Sequence, residues 1–199
     1  CLAKFVYERQ MTAATTLTVE TLGGIKTLQL NVVDGKVRTV RVDMGEPAFI
    51  RRLIPMSGPE ETEVLNQEVQ ANGARLNVTC LSVGNPHCVT FVDDVEHFPV
   101  EKLGPEFENH SLFPRRTNVE FVQVLNPREL RVRVWERGAG ETLACGSGAC
   151  ASVIAAARTG RAGRRAAVHL LGGELQIEWA EEGHVHMTGP AVEVFRGEL

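Results

Sequence analysis

The chain contains no apolar run approaching the roughly 20 residues that a membrane helix needs. Nor does it show a charged start followed by an apolar stretch and a small-residue cleavage site, the pattern of a secretory signal. No pair among its five cysteines has zinc-finger spacing, so no metal site is expected, and no low-complexity segment interrupts it. A basic surplus is also missing: 21 Lys and Arg stand against 25 Asp and Glu, for a net charge of −4. That balance gives no support for nucleic acid or an anionic membrane as a partner. The one local basic cluster, Arg161, Arg164 and Arg165, reads as a solvated loop or helix end. Lysine is scarce. Lys4, Lys26, Lys36 and Lys102 are the whole set, none in a phosphate-cradling context, which makes a pyridoxal-phosphate Schiff base a poor option.

What is present suits a folded domain. With 199 residues, 43% hydrophobic and 23% charged, the chain can form one large domain or two small ones without staples. Cys1, Cys80, Cys88, Cys145 and Cys150 are odd in number and widely spaced, which points to reduced thiols and a cytoplasmic protein. Residues Cys1 to Gln10 read as helix, with apolar Leu2, Phe5 and Val6 and no capping residue ahead of them. Helices rarely begin uncapped at residue 1, so the chain is expected to be cut from a longer one.

Strands are expected at Thr15–Thr21, Ile25–Val33 and Lys36–Asp43, with turns at Gly23-Gly24 and Asp34-Gly35. Glycine and proline then break the pattern, which puts a domain boundary near Asp43–Gly45. A second series follows at Glu63–Gln70, Arg75–Val83, Cys88–Val92, Asn118–Leu125 and Glu129–Glu136, with Asn72-Gly73 and Asn126-Pro127 as turns. Val100–His110 reads as helical. Ser147–Thr159 is the strongest helix signal, and being small or apolar all round it must be buried and wrapped by strands. Later strands are expected at Ala166–Leu171, Glu174–Trp179, His184–Thr188 and Val192–Phe195. The pattern is α+β, a mixed barrel-like sheet around a central helix. Residues 45–190 would form one such unit, and 1–44 with 191–199 the remnant of a second copy of the plan.

Chemistry concentrates where the chain enters that greasy helix. Cys145 sits at its start, where unpaired N–H groups and the helix macrodipole favour negative charge, so a lowered thiol pKa is expected. Gly146, Ser147 and Gly148 leave backbone uncovered for a carboxylate to dock. An acidic thiol beside a carboxylate cradle is what abstraction of an amino-acid α-proton requires. By the same reasoning Cys145 should be the most reactive of the five thiols. Cys150 and Cys80 read as core.

The run Glu136-Arg137-Gly138-Ala139-Gly140-Glu141-Thr142, followed by Ala144-Cys145-Gly146-Ser147-Gly148, resembles the signature of the diaminopimelate epimerase family. Gly84-Asn85-Pro86-His87 and Arg116-Thr117-Asn118-Val119-Glu120-Phe121 are similar to two further motifs, in family order. Val19-Glu20-Thr21 through Gly24-Ile25-Lys26, then Val42-Asp43-Met44-Gly45, resemble its middle region. The resemblance implies a cofactor-independent isomerase of lysine and peptidoglycan precursor biosynthesis. Such an enzyme converts LL- to meso-diaminopimelate with two cysteines on opposite faces of the α-carbon. It implies a pseudo-repeat of two such units and a homodimer for the full-length protein. Cys145 would be one of the two thiols, with His87 and Glu136 helping to set the cysteine pKa values. Gly146 and Ser147 would hold the α-carboxylate, Glu136 and Arg137 the amino and carboxylate groups, and Asn85 and Asn118 the distal end. Cys1 resembles a second, non-catalytic cysteine of the first unit, so this chain alone is expected to be inactive.

Each of these residues also has an ordinary reading. Asn85 before proline suits a turn, His87 a structural histidine, Asn118 a strand start, and Glu136-Arg137 a surface ion pair. Other classes stay open. One is a proline racemase-like two-cysteine enzyme, another a cysteine hydrolase pairing Cys145 with His87 or His169, and a third a non-catalytic carboxylate-binding module.

Overall fold

In a computed structural model, which describes residues 1–21, 24–194 and 197, the strand signals gather into one mixed sheet. Chain order runs α1 (Leu2–Glu8), β1 (Thr16–Thr21), β2 (Gly24–Val33), β3 (Lys36–Gly45), a 3-10 turn (Arg51–Leu53), β4 (Val64–Ala71), β5 (Ala74–Ser82) and β6 (Pro86–Phe91). It continues with α2 (Val100–Glu108), β7 (Asn118–Asn126), β8 (Glu129–Glu136), β9 (Gly140–Thr142), α3 (Gly146–Arg158), β10 (Arg165–Leu170), β11 (Gly173–Trp179) and β12 (Val185–Pro190). Neighbouring strands follow the order β1-β2-β3-β12-β11-β10-β8-β7-β6-β5-β4, with β9 attached to β8. The fold is α+β. Two neighbour pairs are parallel, β6 with β7 and β8 with β10, and each is bridged by a crossover that carries a helix, α2 and α3 respectively.

The hairpins follow from their turns. Asp34-Gly35 and Asn72-Gly73 both sit at positive φ, the backbone that Asn, Asp and Gly tolerate best, and they join β2 to β3 and β4 to β5. Helix α3 is buried from Gly148 to Ala156 and packs on β5 to β8 and β10 to β12, as its all-round apolar sequence requires. Helix α2 packs on the other face of the sheet, against β4 and β7 to β9. Because side chains alternate along a strand, Leu81, Val89, Val122, Leu130, Val132 and Val134 face α3, whereas Val78, Cys80, Cys88, Val119 and Phe121 join the α2 core. A third, smaller cluster of Ala3, Leu30, Val37 and Val40 lies under α1, which leaves Leu2 and Phe5 exposed.

Some details differ from expectation. Val192 to Val194 is irregular, and Phe195 lies outside the described residues, as does Gly23 of the first turn. β9 has three residues without apolar alternation, too short to be read as a strand. Helix α2 stops at Glu108, two residues early. The basic cluster is exposed in a loop and at the start of β10, as expected, and in addition two of its side chains stack on aromatic rings. Arg161 stacks over Phe91, and Arg164 stacks over Trp179 while donating to the Trp179 and Ala180 carbonyls.

Gly104 marks the tightest contact of α2 with the sheet, since a Cβ there would lie 2.5 Å from the Trp135 indole. Glycine to alanine in a helix ordinarily stabilises by up to about 1 kcal/mol. Here overpacking reverses the sign, so Gly104→Ala is expected to cost roughly 1–3 kcal/mol. Thermal unfolding followed by circular dichroism checks it, with a fall in midpoint of several degrees, on the order of 2–4 °C per kcal/mol.

Candidate active site

The strand alternation that divides the two cores also builds a polar patch. His87 on β6, Asn118 and Glu120 on β7, and Glu136 at the end of β8 have the parity of the α3-facing residues. They sit at the strand ends nearest the start of α3, so the same face turns from apolar to polar where the helix begins. Cys145 caps that helix with extended backbone (φ −131°, ψ 111°) and its thiol accepts from the Gly148 N–H at 3.4 Å. The Ser147 hydroxyl lies 3.5 Å from Cys145 Sγ. The N–H groups of Gly146 and Ser147 open the helix ahead of its i→i−4 ladder.

The two glycines let neighbouring side chains approach the helix start closely. A Cβ at Gly146 would come within 2.8 Å of Met187 Sδ, and one at Gly148 within 2.9 Å of Glu120 Oε1 and 3.3 Å of Cys145 Sγ. From Ser147 a hydrogen-bond chain leads inward. Asn85 Nδ2 donates to Ser147 Oγ (3.2 Å), Asn85 Oδ1 faces His87 Nε2 (3.0 Å), and His87 Nδ1 meets Glu120 Oε1 at 2.7 Å. Asn85, His87, Cys145 and Ser147, each singled out from the sequence, thus form one connected network.

Asn118, Glu136 and Arg137 form a second group. Asn118 donates to the Pro86 carbonyl (2.8 Å) and accepts from the Arg137 N–H (2.9 Å), tying the Gly84–His87 segment to the Glu136–Thr142 segment. Half-buried Glu136 accepts from Thr142 Oγ1 at 2.5 Å. Arg137 is exposed, and its guanidinium donates to the Arg115 carbonyl (3.2 Å), so the two do not make the surface ion pair of the ordinary reading.

Two residues escaped the sequence reading. Glu108 is buried and accepts from the Gly138 N–H (2.8 Å), Trp135 Nε1 (2.7 Å) and Arg116 (3.1 Å), which holds the turn behind Arg137. Nothing in a helix-terminal glutamate signals that. Glu120 is wholly buried, and here a signal existed: a carboxylate between Val119 and Phe121 in an apolar strand.

The thiol pKa runs against expectation. Burial first, and the Glu120 carboxyl beside it second, push Cys145 up to about 11, against the opposing hydrogen bonds from Ser147 and Gly148. Cys150 is pushed up to about 12 by burial foremost. Exposure adds to this, since Cys1 is exposed whereas the other four cysteines, Cys145 included, are buried. Nor does cavity size mark the site: a cavity of about 530 Å³ along α1, lined by Cys1, Lys4, Phe5, Glu8 and Arg9 among others, includes none of these residues.

Comparison with known proteins gives the arrangement its family. The family model described as "Diaminopimelate epimerase" matches residues 79–194, which span the whole network from β5 through β12. Curated diaminopimelate epimerases from Pelotomaculum thermopropionicum and Moorella thermoacetica are 55% and 56% identical over the entire chain, which spans 70% and 71% of their lengths. The chain belongs to the diaminopimelate epimerase family. It is thereby an isomerase-family chain, with a small molecule as its substrate class. A probable proline racemase from Agrobacterium radiobacter shares the fold at 15% identity and a TM-score of 0.71, over 96% of this chain and 63% of that one. A hydroxyproline epimerase from Agrobacterium vitis does so at 16% and 0.69, over 96% and 61%. Among the described residues no helix is long and apolar enough to cross a membrane.

Limiting iodoacetamide, read by peptide-resolved mass spectrometry, is expected to label Cys1 first and Cys145 next. Cys145 is 6% exposed against 0–1% for Cys80, Cys88 and Cys150, which should react only after unfolding. Because the thiolate is the reacting form, Cys145 labelling should climb about tenfold per pH unit from about pH 7 to 10. A plateau already reached near pH 7 would mean a thiol that ionises far more easily than this burial allows.

Proposed function

We propose that the protein epimerises LL-diaminopimelate to meso-diaminopimelate without a cofactor, with Cys145 as one of two thiols acting on opposite faces of the α-carbon. The observation that carries this reading is Cys145 at the cap of α3, its sulfur in contact with the Ser147 hydroxyl and the Gly148 N–H. A thiol so placed can give up a proton and have the resulting charge met by two donors, which is general acid–base catalysis. The N–H groups of Gly146 and Ser147 would receive the α-carboxylate, since a helix start is an anion seat. Arg137, exposed and tied by its backbone to Asn118, is available to fork onto a carboxylate, and Glu136 to accept from the amino group. Asn85 and Asn118 would read the distal end. His87 and Glu136 would act on the thiol through the network and through charge.

The same proposal extends to organisation. Residues 45–190 would form one unit and 1–44 with 191–199 another, a division supported by the separate apolar cluster under α1, with residues 22, 23, 195, 196, 198 and 199 outside the described ones. The second thiol is a cysteine other than Cys80, Cys88 or Cys150, all sealed in the core, and the resemblance gives Cys1 no such role. This chain alone is accordingly inactive. The working enzyme is a cytoplasmic homodimer. A proline racemase-like substrate is disfavoured, because the matching relatives at half identity or better carry the diaminopimelate name and the racemase likeness is one of fold.

The test follows α-hydrogen exchange with diaminopimelate in heavy water. In the complete enzyme Cys145→Ser is expected to abolish exchange into one stereoisomer, because a hydroxyl is far too weak an acid to replace the thiol. Arg137→Ala should chiefly raise KM, with a loss of roughly 2–5 kcal/mol if the pair it forms with substrate is desolvated. Full turnover by Cys145→Ser sinks the assignment, and a trapped acyl-thioester would favour a hydrolase instead.

A further inference from the structure

Glu120 is the buried charged side chain at this site to which the reading above gives no task. Its Oε2 finds no hydrogen-bond partner, and its Oε1 lies 2.7 Å from His87 Nδ1, both side chains being fully shielded from solvent. The chain from Glu120 to Cys145 has two self-consistent proton arrangements. In the first, His87 Nε2–H donates to Asn85 Oδ1, one proton lies between Nδ1 and Oε1, and the pair is neutral overall. Asn85 Nδ2 then donates to Ser147 Oγ, which leaves the Ser147 O–H free to donate to Cys145 Sγ.

The second arrangement holds one proton fewer. His87 Nδ1–H donates to a bare Glu120 carboxylate, Nε2 accepts from an overturned Asn85 amide, and the Ser147 O–H is drawn to Asn85. Ser147 can then only accept from the Cys145 thiol. Burial decides between them. A carboxylate with one oxygen unpartnered in an apolar wall is costly, and burial accordingly holds the Glu120 carboxyl above the usual range against the pull of His87.

We propose that Glu120 is a positioning residue that shares one proton with His87 and thereby fixes the direction of the His87–Asn85–Ser147 chain, so that the Ser147 hydroxyl donates to the Cys145 thiolate. The proposal rests on Cys145 as the working thiol of the reaction proposed above. Other titratable groups beside this network are Cys150 on α3 and Glu136 on β8, with Lys26 on β2 acting on Cys150, while Cys88 on β6 feels the Glu120 charge from the opposite face of the sheet. None of them lies in the hydrogen-bond chain, so none sets its direction.

The test reads the pH at which Cys145 is half-ionised, from peptide-resolved alkylation, in the wild type, Glu120→Gln and Glu120→Leu. A glutamine amide can donate to His87 Nδ1 and reproduce the shared proton, so its midpoint should stay at the wild-type value. A bare Glu120 carboxylate pushes the Cys145 thiol up, but the proton shared with His87 cancels that push, so leucine removes only the direction of the chain and the midpoint should rise by about one unit, or about tenfold slower labelling at neutral pH. A midpoint that falls in either variant would mean that Glu120 acts as a bare negative charge. One that stays put in Glu120→Leu would mean that it has no bearing on the thiol. Mere loss of packing would alter accessibility without moving the midpoint. Should Glu120→Leu not fold, Glu120→Gln and the wild-type ¹⁵N spectrum decide. His87 Nε2 is expected protonated at neutral pH, and an unprotonated Nε2 overturns the proposal. Neither readout depends on turnover, so failure here leaves the epimerase reading to its own exchange assay.

Discussion

Helix α3 is apolar on every side, and that constraint organises the rest. Such a helix has to be enclosed, so the strands curve around it from β5 to β12. Yet its first turn carries N–H groups that its own ladder cannot satisfy, so the enclosure has to become polar at that one end. The sheet achieves this through alternation. The parity that sends Val89, Val122 and Val134 into the helix sends His87, Glu120 and Glu136 to the region of its start. A one-residue slip of β7 would put Glu120 in the α2 core and Val119 beside the thiol, which couples the register of the sheet directly to the site.

At Cys145 two physical effects oppose each other, and their magnitudes settle the outcome. A helix start is worth roughly 0.3–1 kcal/mol to a negative charge at a surface, and about 2 in the best cases. Withdrawing a charge from water costs several kcal/mol. With the residue 6% exposed, desolvation wins and the thiol is held up to about 11. The expectation of an acidic thiol weighed the helix terminus and left out the enclosure, although the sequence of α3 already demanded that enclosure.

Much of this was legible beforehand, and the reasons differ by element. α3 and the strands from Thr16 to Pro190 announce themselves through apolar runs bounded by Asp-Gly, Asn-Gly and Asn-Pro turns. Asn85, His87, Ser147 and Cys145 could be named from motifs, but their linkage through 2.7–3.5 Å contacts depends on which strand neighbours which. That neighbourhood comes from the crossovers, and a crossover leaves no periodic mark. Glu108 is the clearest loss: its three partners lie 8 to 30 residues away, and a glutamate ending a helix looks like any surface residue. The brief β9 was invisible because three residues carry no period.

The network also bears on why a hydroxyl, rather than a cation, stands beside the sulfur. A two-thiol epimerisation asks each sulfur to be a base in one direction and an acid in the other. A fixed ammonium or guanidinium would hold it as thiolate and spoil it as an acid. Among the described residues the largest influences on Cys145 are its burial, the Ser147 hydroxyl, the Gly148 N–H and the carboxyls of Glu120 and Glu136, and none of these is a cation. Ser147, its oxygen already accepting from Asn85, meets the thiolate as a neutral donor, which offsets far less charge than a fixed cation would and so leaves the sulfur able to take its proton back. For the proposed role of Cys145, a buried surrounding without a fixed cation therefore suits the chemistry better than the strongly acidified thiol that the helix terminus alone would give.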